Sequence, residues 1–401
     1  MKKIIFISNY AFLGKTADYG MSGGDRIFIE LIKHWQKNNQ ILLFGTQEAI
    51  EIAQKNDVKN IKFLQSQKKS LHASFSFMTM LYHAVSRLFV GVRSVIKYNS
   101  ELKKYDYVYS VSDFYPDVIP ALILKLKNPQ MKWIAAFYFF APKPWNRNNP
   151  YKTSINRWFT GLFYWLTQIL AYKIILKSAD YVILCNQIDE QSFINDGFAK
   201  DRLITIYGGV DIKLAQKIRV KKIEYEAVFM ARFHSQKGPL EAVRAWREVV
   251  KQNKQAKLIM IGNGPEETIV NKYIDDNQLK NNIILRGFVD GIAKYKILKA
   301  SRIYLHSAVY ETGGMAAAEA MAAGLPVIAY NHQGYDYIYP KGMIKVDPVG
   351  DYKKMAKAIL SLLKDKKRYQ SLKKAAYQYI RKEWDWSKRA DFVYKKVTSK
   401  N

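Results

Sequence analysis

Tyr310-Glu311-Thr312-Gly313-Gly314-Met315-Ala316-Ala317-Ala318-Glu319-Ala320-Met321-Ala322-Ala323-Gly324-Leu325-Pro326-Val327-Ile328 is the most informative stretch of this chain. A glycine pair opens a run of helix-favouring Ala, Met and Glu, and Gly324-Leu325-Pro326 stops it before an apolar strand, Val327 to Tyr330. One carboxylate therefore stands just before a helix N-terminus and the other about two turns along, at a rise of roughly 1.5 Å per residue. Free amides at such a terminus favour an anion, while the flanking carboxylates favour neutral, hydroxyl-rich groups. One element can thus hold both parts of a sugar nucleotide, which predicts a glycosyl-donor site. The simpler alternative is a buried Ala-rich helix with two incidental glutamates.

Outward from this stretch, the chain alternates apolar strands with helical segments, twice. In the first half the predicted strands are Lys3 to Ser8, Gln40 to Phe44, Tyr107 to Ser110, Lys132 to Phe139, Tyr181 to Cys185 and Arg202 to Tyr207, with helices such as Gly24 to Gln36 between them. In the second half they are Ala227 to Met230, Lys257 to Ile261, Ile283 to Arg286, Ile303 to His306 and Val327 to Tyr330. A Lys-rich stretch from Lys213 to Lys222 reads as the linker. A length of 401 residues with 49% apolar content fits two domains, each with its own interior. The expectation is an α/β protein of two doubly wound parallel-sheet domains facing each other across a cleft. The single cysteine, Cys185, excludes an internal disulfide and reads as a small core residue. The opening Met1-Lys2-Lys3-Ile4-Ile5-Phe6-Ile7-Ser8 has too short an apolar run for a secretory signal and reads as a buried first strand.

The glutamate-bearing segment resembles the E-x7-E motif of the retaining family 4 glycosyltransferases, also called glycosyl transferases group 1, which share the GT-B fold of two Rossmann-like domains. The usual Gly-Phe-Gly after the first Glu is here Thr312-Gly313-Gly314-Met315. Three further segments are similar to family motifs. Ala231-Arg232-Phe233-His234-Ser235-Gln236-Lys237-Gly238 resembles the Gly-Arg-x4-Lys-Gly loop, with Arg232 and Lys237 at a strand's carboxyl edge, where they could neutralise a departing diphosphate. Gly262-Asn263-Gly264-Pro265-Glu266 matches a strand-to-helix turn whose Gly262 and Gly264 lie near the nucleotide, and Pro265 excludes a dinucleotide fingerprint. Gly287-Phe288-Val289 resembles the segment that cradles the base. Gly208-Gly209-Val210-Asp211 is similar to the Asn-Gly-Val-Asp close of the N-terminal domain.

The resemblance implies an acceptor-binding domain over 1–210, joined by a C-terminal helix 385–401, and a nucleotide-sugar-binding domain over 211–384. It implies catalytic roles for Arg232, Lys237 and Glu311. Donor contacts would come from Gly23, Gly24, Gly262, Gly264, Phe288, Val289, Thr312, Gly313, Gly314, Met315 and Glu319. Gly23 and Gly24 belong to Met21-Ser22-Gly23-Gly24-Asp25-Arg26, a turn where glycine permits close approach of backbone to ligand, and the loop Tyr10 to Ser22 is long enough to shape an acceptor pocket. Many relatives carry a histidine after the fourth strand, where this chain reads Ala136-Phe137-Tyr138-Phe139-Phe140; His306 stands nearest to a replacement. No Asp-x-Asp pair ends a strand and no His or Cys cluster has ligand spacing, so no metal and no cofactor is expected beyond a UDP- or GDP-linked sugar as donor substrate.

Charge points to where such an enzyme would work. With 64 basic and 34 acidic residues the net charge is +30, and between Lys62 and Lys177 there are 17 Lys or Arg against four acids. Residues 68–104 and 157–177 set Arg and Lys beside Trp, Phe, Tyr and Met, a composition suited to the headgroups of an anionic membrane. Trp158 to Tyr172 is an uncharged run of 15 residues, short of the roughly 20 needed to span a bilayer, so attachment is expected rather than insertion. The expected protein is cytoplasmic, held peripherally on the inner face of a membrane, and serves a lipid-linked or glycan acceptor. An epimerase or hydrolase on the same fold is the near alternative. A nucleic-acid binder is the distant one: the charge would attract phosphate backbones, but no recognition motif accompanies it and no specific nucleic acid is expected.

Overall fold

The computed structural model describes residues 1–10, 23–67, 77–146, 149, 151, 154–311 and 313–399. Thr312 and most of the loop from Tyr10 to Ser22 lie outside them, as does the start of the basic stretch at Lys68 and Lys69. The chain forms two compact units. One holds the described residues up to Ile206 together with those from Ser387 onward, and the other runs from Tyr207 to Trp386.

The first unit is built on seven strands: β1 (Lys3–Ser8), β2 (Gln40–Thr46), β3 (Lys62–Gln67), β4 (Tyr107–Ser110), β5 (Lys132–Ala136), β6 (Tyr181–Leu184) and β7 (Leu203–Thr205). All pair in parallel in the order β3-β2-β1-β4-β5-β6-β7. Strands such as β1, a continuous run of Ile and Phe buried on both faces, are what a helix-covered parallel sheet requires. The last helix, Trp386–Thr398, belongs to this unit beyond its first residue. Ala390, Val393 and Val397 are buried, and the Trp35 indole N–H donates to the Ala390 carbonyl at 3.0 Å.

The second unit carries six parallel strands: β8 (Tyr225–Met230), β9 (Leu258–Ile261), β10 (Ile283–Gly287), β11 (Ser301–His306), β12 (Val327–Tyr330) and β13 (Met343–Val346). Their order is β10-β9-β8-β11-β12-β13, the doubly wound pattern a second time. A cluster including Trp246, Met260 and Ile359 and a second including Tyr304, Met321, Tyr339 and Trp384 form its core. Each sheet reverses direction once, between β1 and β4 and between β8 and β11. Loops on either side of such a point diverge and leave a crevice at the carboxyl edge.

Some expectations are corrected. Two edge strands, β3 and β13, were not foreseen, because KFLQSQ and MIKV are too polar or too short to stand out. Pairing of β5 stops at Ala136 instead of Phe139, and Phe137 turns into the aromatic core with Phe140, Tyr172 and Phe193. The Lys-rich stretch is not an extended linker throughout. Asp211 caps a helix over Ile212–Lys217 by accepting from the Leu214 amide at 2.8 Å, and Ile212 and Ala215 are buried.

Trp246 is fully buried, and its indole N–H has no hydrogen-bond partner among the described residues. Its contribution is therefore packing. Trp246→Ala should destabilise the protein by about 3–5 kcal/mol in denaturant melts. Trp246→Phe should cost less than half as much, since it removes an unpaired donor; equal losses for the two would contradict this account.

Candidate active site

The loops that follow β8 and β11 flank the reversal in the second sheet, and each brings one of the predicted charges to it. Lys237 ends a single 3-10 turn, Ser235–Lys237, and Glu311 follows β11 by five residues. Lys237 Nζ lies 2.6 Å from Glu311 Oε2, in a pair whose side chains are 31% and 13% exposed. The loops are also joined through their backbones, because the Gln236 carbonyl accepts from the amides of Val309 (2.9 Å) and Tyr310 (3.2 Å). Ser307 Oγ donates to the Gly238 carbonyl at 2.7 Å. Gly238 has φ 61°, and a Cβ there would stand 2.0 Å from the Ser307 carbonyl oxygen, so only glycine allows this approach. Arg232 is exposed on the same loop.

The Gly262-Asn263-Gly264-Pro265-Glu266 turn is a buttress for that loop. The Phe233 amide donates to the Asn263 carbonyl at 2.7 Å, and the Glu266 amide donates back to the Phe233 carbonyl at 3.0 Å. A Cβ on Gly262 would meet the Ala231 carbonyl oxygen at 1.9 Å, and one on Gly264 would meet that of Phe233 at 2.5 Å. Phe288, just past β10 on the neighbouring loop, is 39% exposed, whereas Val289 packs against the core.

Helix Met315–Ala322 begins at Gly314, whose φ of 59° admits the turn. Buried tyrosines hold this entry. Tyr339 OH donates to the carbonyls of Gly313 and Gly314 at 2.9 and 2.8 Å, and a Cβ on Gly314 would lie 2.6 Å from Tyr335 OH. Burial pushes both phenols well above their ordinary range, so they stay hydroxyls and can donate. Tyr335 OH is also 2.9 Å from His306 Nε2. Burial drives the His306 pKa down to about 3, so the ring is neutral, and its Nε2 is 3.9 Å from Glu311 Oε2. The inward face of the helix is all Ala and Met, which lets it lie close against the sheet.

Glu319, further along this helix, is not isolated. Its Oε1 is 2.8 Å from Lys294 Nζ, which also lies 2.7 Å from Asp290 Oδ1. Sequence reasoning missed Lys294, a buried lysine four residues after the Asp290 cap; among the chain's many lysines nothing but that spacing marks it. Thus Arg232, Lys237, Gly262, Gly264, Phe288, Val289, Glu311, Gly313, Gly314, Met315 and Glu319 all belong to the second unit, on the loops and helix at the carboxyl ends of its strands.

Gly23 and Gly24 belong to the first unit and open helix Gly23–Trp35, which follows β1. After β5, Tyr138 OH lies 3.0 Å from Tyr109 OH and feels the charge of Asp25; burial keeps it a neutral phenol. A polar cluster beside the reversal in the first sheet also escaped sequence reasoning. Asp117 accepts from the Asn9 amide (2.6 Å) and Ser112 Oγ (2.5 Å), and Gln168 Nε2 donates to Asp113 Oδ2 (2.5 Å). Burial raises these carboxyls, Asp113 to about 6 and Asp117 to about 7.

Chemically, the second unit offers an exposed guanidinium, an ammonium paired with a carboxylate, and a helix N-terminus within one loop system. Cations and helix amides suit phosphate, and carboxylates suit hydroxyls. Comparison with known proteins agrees with this chemistry. Residues 211–379 match the family model "Glycosyl transferases group 1". Over 172 residues the chain is 29% identical to the poly(glycerol-phosphate) alpha-glucosyltransferase of Bacillus subtilis, covering 41% of this chain and 24% of that protein. Over 129 residues it is 28% identical to the alpha-monoglucosyldiacylglycerol synthase of Acholeplasma laidlawii, covering 32% of each. The chain thus spans about a quarter to a third of the length of these curated relatives. Among solved structures, that of Anabaena HepE in complex with UDP and glucose superposes with a TM-score of 0.72 at 16% identity, covering 100% of both chains. The fold is GT-B, and over residues 211–379 the chain is similar to the group 1 glycosyltransferases.

Proposed function

We propose that this chain is a retaining glycosyltransferase that moves a sugar from a nucleotide diphosphate to a lipid-linked or membrane-proximal glycan acceptor, without a metal. The observation that carries this reading is the Lys237–Glu311 pair at the reversal of the second sheet, with Arg232 on the same loop. In this mechanism Arg232 and Lys237 bind the diphosphate and neutralise charge as the bond from the anomeric carbon to the phosphate oxygen breaks. Glu311 orients hydroxyls of the donor sugar, and Glu319, held by Lys294, orients the ribose. The amides at Gly314 and Met315 face the phosphates, and the turns at Gly262, Gly264, Phe288 and Val289 border the base. The acceptor oxygen attacks on the face from which the diphosphate leaves and passes its proton to the departing phosphate oxygen. Neither glutamate forms a covalent intermediate.

UDP is the favoured nucleotide, because the superposed HepE structure holds UDP and glucose. One curated relative is named for a poly(glycerol-phosphate) acceptor and the other for a glucosyl-lipid product; together with a net charge of +30, these support an anionic or lipid-borne acceptor. Gly23 and Gly24 would contact the donor diphosphate, and Tyr138 would serve on the acceptor side. The protein would work in the cytoplasm, at the inner face of the membrane.

Replacing Arg232 or Lys237 by Ala should lower turnover about 10²-fold or more, as loss of a donor to developing charge does. Lys237→Arg should not restore it, because a planar fork cannot reproduce the 2.6 Å ammonium contact with Glu311. Near-normal turnover in either alanine variant would refute the clamp. The anomeric configuration of the product, read by NMR, should match the donor's, and Glu319→Gln should raise the donor KM more than it lowers kcat; an inverted product would overturn the mechanism. With two fixed cations on the diphosphate, sugar transfer should persist in EDTA. Complete loss on chelation, restored by Mg²⁺ or Mn²⁺, would show that a metal carries this role.

A further inference from the structure

Two neighbouring helices of the first unit, Phe77–Lys97 and Ile155–Ser178, turn apolar stripes outward. On the first, Met78, Tyr82, Val85 and Phe89 recur at spacings of four, three and four; on the second, Ile155, Phe159, Leu166 and Leu170 share a face in the same way. Each of these side chains is between 43% and 74% exposed, although a water-facing helix surface is ordinarily polar. Exposed Arg93 and Lys97 follow the first stripe, and exposed Lys173 and Lys177 follow the second. Neither helix contains an Asp or Glu. Both are crossovers in a parallel sheet, so both run against the strands, with their apolar N-terminal halves toward the sheet's carboxyl edge. Trp145, 61% exposed, adds an aromatic ring against Trp165 there.

We infer that this two-helix face docks on the surface of an anionic bilayer, with the stripes among the upper acyl chains and the four cations against lipid phosphates. Charge selects this occupant. A second copy of the same face would set these cations against one another with no carboxylate between them, whereas an anionic headgroup layer meets both the apolar and the basic parts. Helix Ile155–Ser178 is long and apolar enough to cross a membrane by length and composition, but its other side is committed to the fold. Ala171 and Ile175 are in the core, and Gln168 binds Asp113 and the carbonyl of Phe139. The other helix is tied inward by the buried Arg87–Glu48 pair at 3.5 Å. The helices therefore lie on the membrane rather than in it. The carboxyl edge of the first sheet, where an acceptor would enter, then stands close to the bilayer. That last step rests on the transferase reading above; the docking itself does not.

The test is flotation of the full chain with vesicles of phosphatidylglycerol and phosphatidylcholine, and of phosphatidylcholine alone, beside hydrolysis of soluble UDP-glucose. The parent should float with the anionic vesicles and far less with the neutral ones. Arg93→Gln, Lys97→Gln and Lys173→Gln combined should weaken partitioning about 100-fold, at roughly fivefold per charge. Phe89→Ser with Leu170→Ser should weaken it at least about tenfold through lost apolar burial. Melting temperature and UDP-glucose hydrolysis should stay at the parent's values in both variants. Loss of flotation in the variants would support the surface whether or not the chain hydrolyses UDP-glucose, whereas absence of both hydrolysis and transfer across a panel of UDP- and GDP-linked sugars would refute the transferase reading alone. Three results would overturn the proposal: unchanged flotation of the Phe89/Leu170 variant, retention of the parent in membranes after alkaline carbonate extraction, or a parent dimer that the Phe89/Leu170 variant abolishes.

Discussion

The site in the second unit depends on one contact, the ion pair between Lys237 and Glu311 across the reversal of the sheet. Loops leaving β8 and β11 depart toward opposite sides, and nothing in strand pairing holds their tips together. The pair does so, with help from Gln236, whose carbonyl takes two amides from the opposite loop. A charge-assisted bond of this kind, partly withdrawn from water, is stronger than a surface pair and also directional. It leaves a cation and a carboxylate side by side, the combination a sugar diphosphate needs.

Close backbone approach makes this geometry possible. At Gly238, Gly262 and Gly264 a side chain would collide with a carbonyl at 2.5 Å or less, so glycine is required by space as well as by dihedral. Behind the loops stands a buried aromatic layer. Tyr339 holds the entry of helix Met315–Ala322 through its hydroxyl, Tyr335 packs against Gly314, and a neutral His306 bonded to the Tyr335 hydroxyl completes the chain of contacts. Burial keeps every member of this layer uncharged, so it supports the charged loop without competing for its partners.

The first unit shows how one helix can satisfy two environments. Along Ile155–Ser178, Gln168, Ala171 and Ile175 face inward at helical spacing, while Ile155, Phe159, Leu166 and Leu170 face outward. Because both faces are apolar, the helix has no strong amphipathic signature. Only its packing distinguishes a core helix with an unusual outer surface from a membrane span.

Much of the architecture was legible in the residues themselves. Short apolar runs such as Ile4–Ile7 and Val327–Tyr330, alternating with helical segments, read as parallel strands buried on both faces and point to two doubly wound sheets. The Glu311 to Glu319 spacing and the Arg232 to Lys237 loop stood out because their chemistry is local. The edge strands β3 and β13 did not, since an edge needs little hydrophobicity to pair. Lys294 and the Asp113–Asp117–Gln168 cluster were invisible for a different reason. Besides the near neighbours Asp290 and Ser112, their partners lie 25 to 55 residues away in the chain, or are reached through the Asn9 amide 108 residues distant. Local sequence decides which segments become strands, helices and glycine turns, because those depend on near neighbours. Which charges meet, and which apolar face is left without cover, is decided only when the sheets close and bring distant residues within reach.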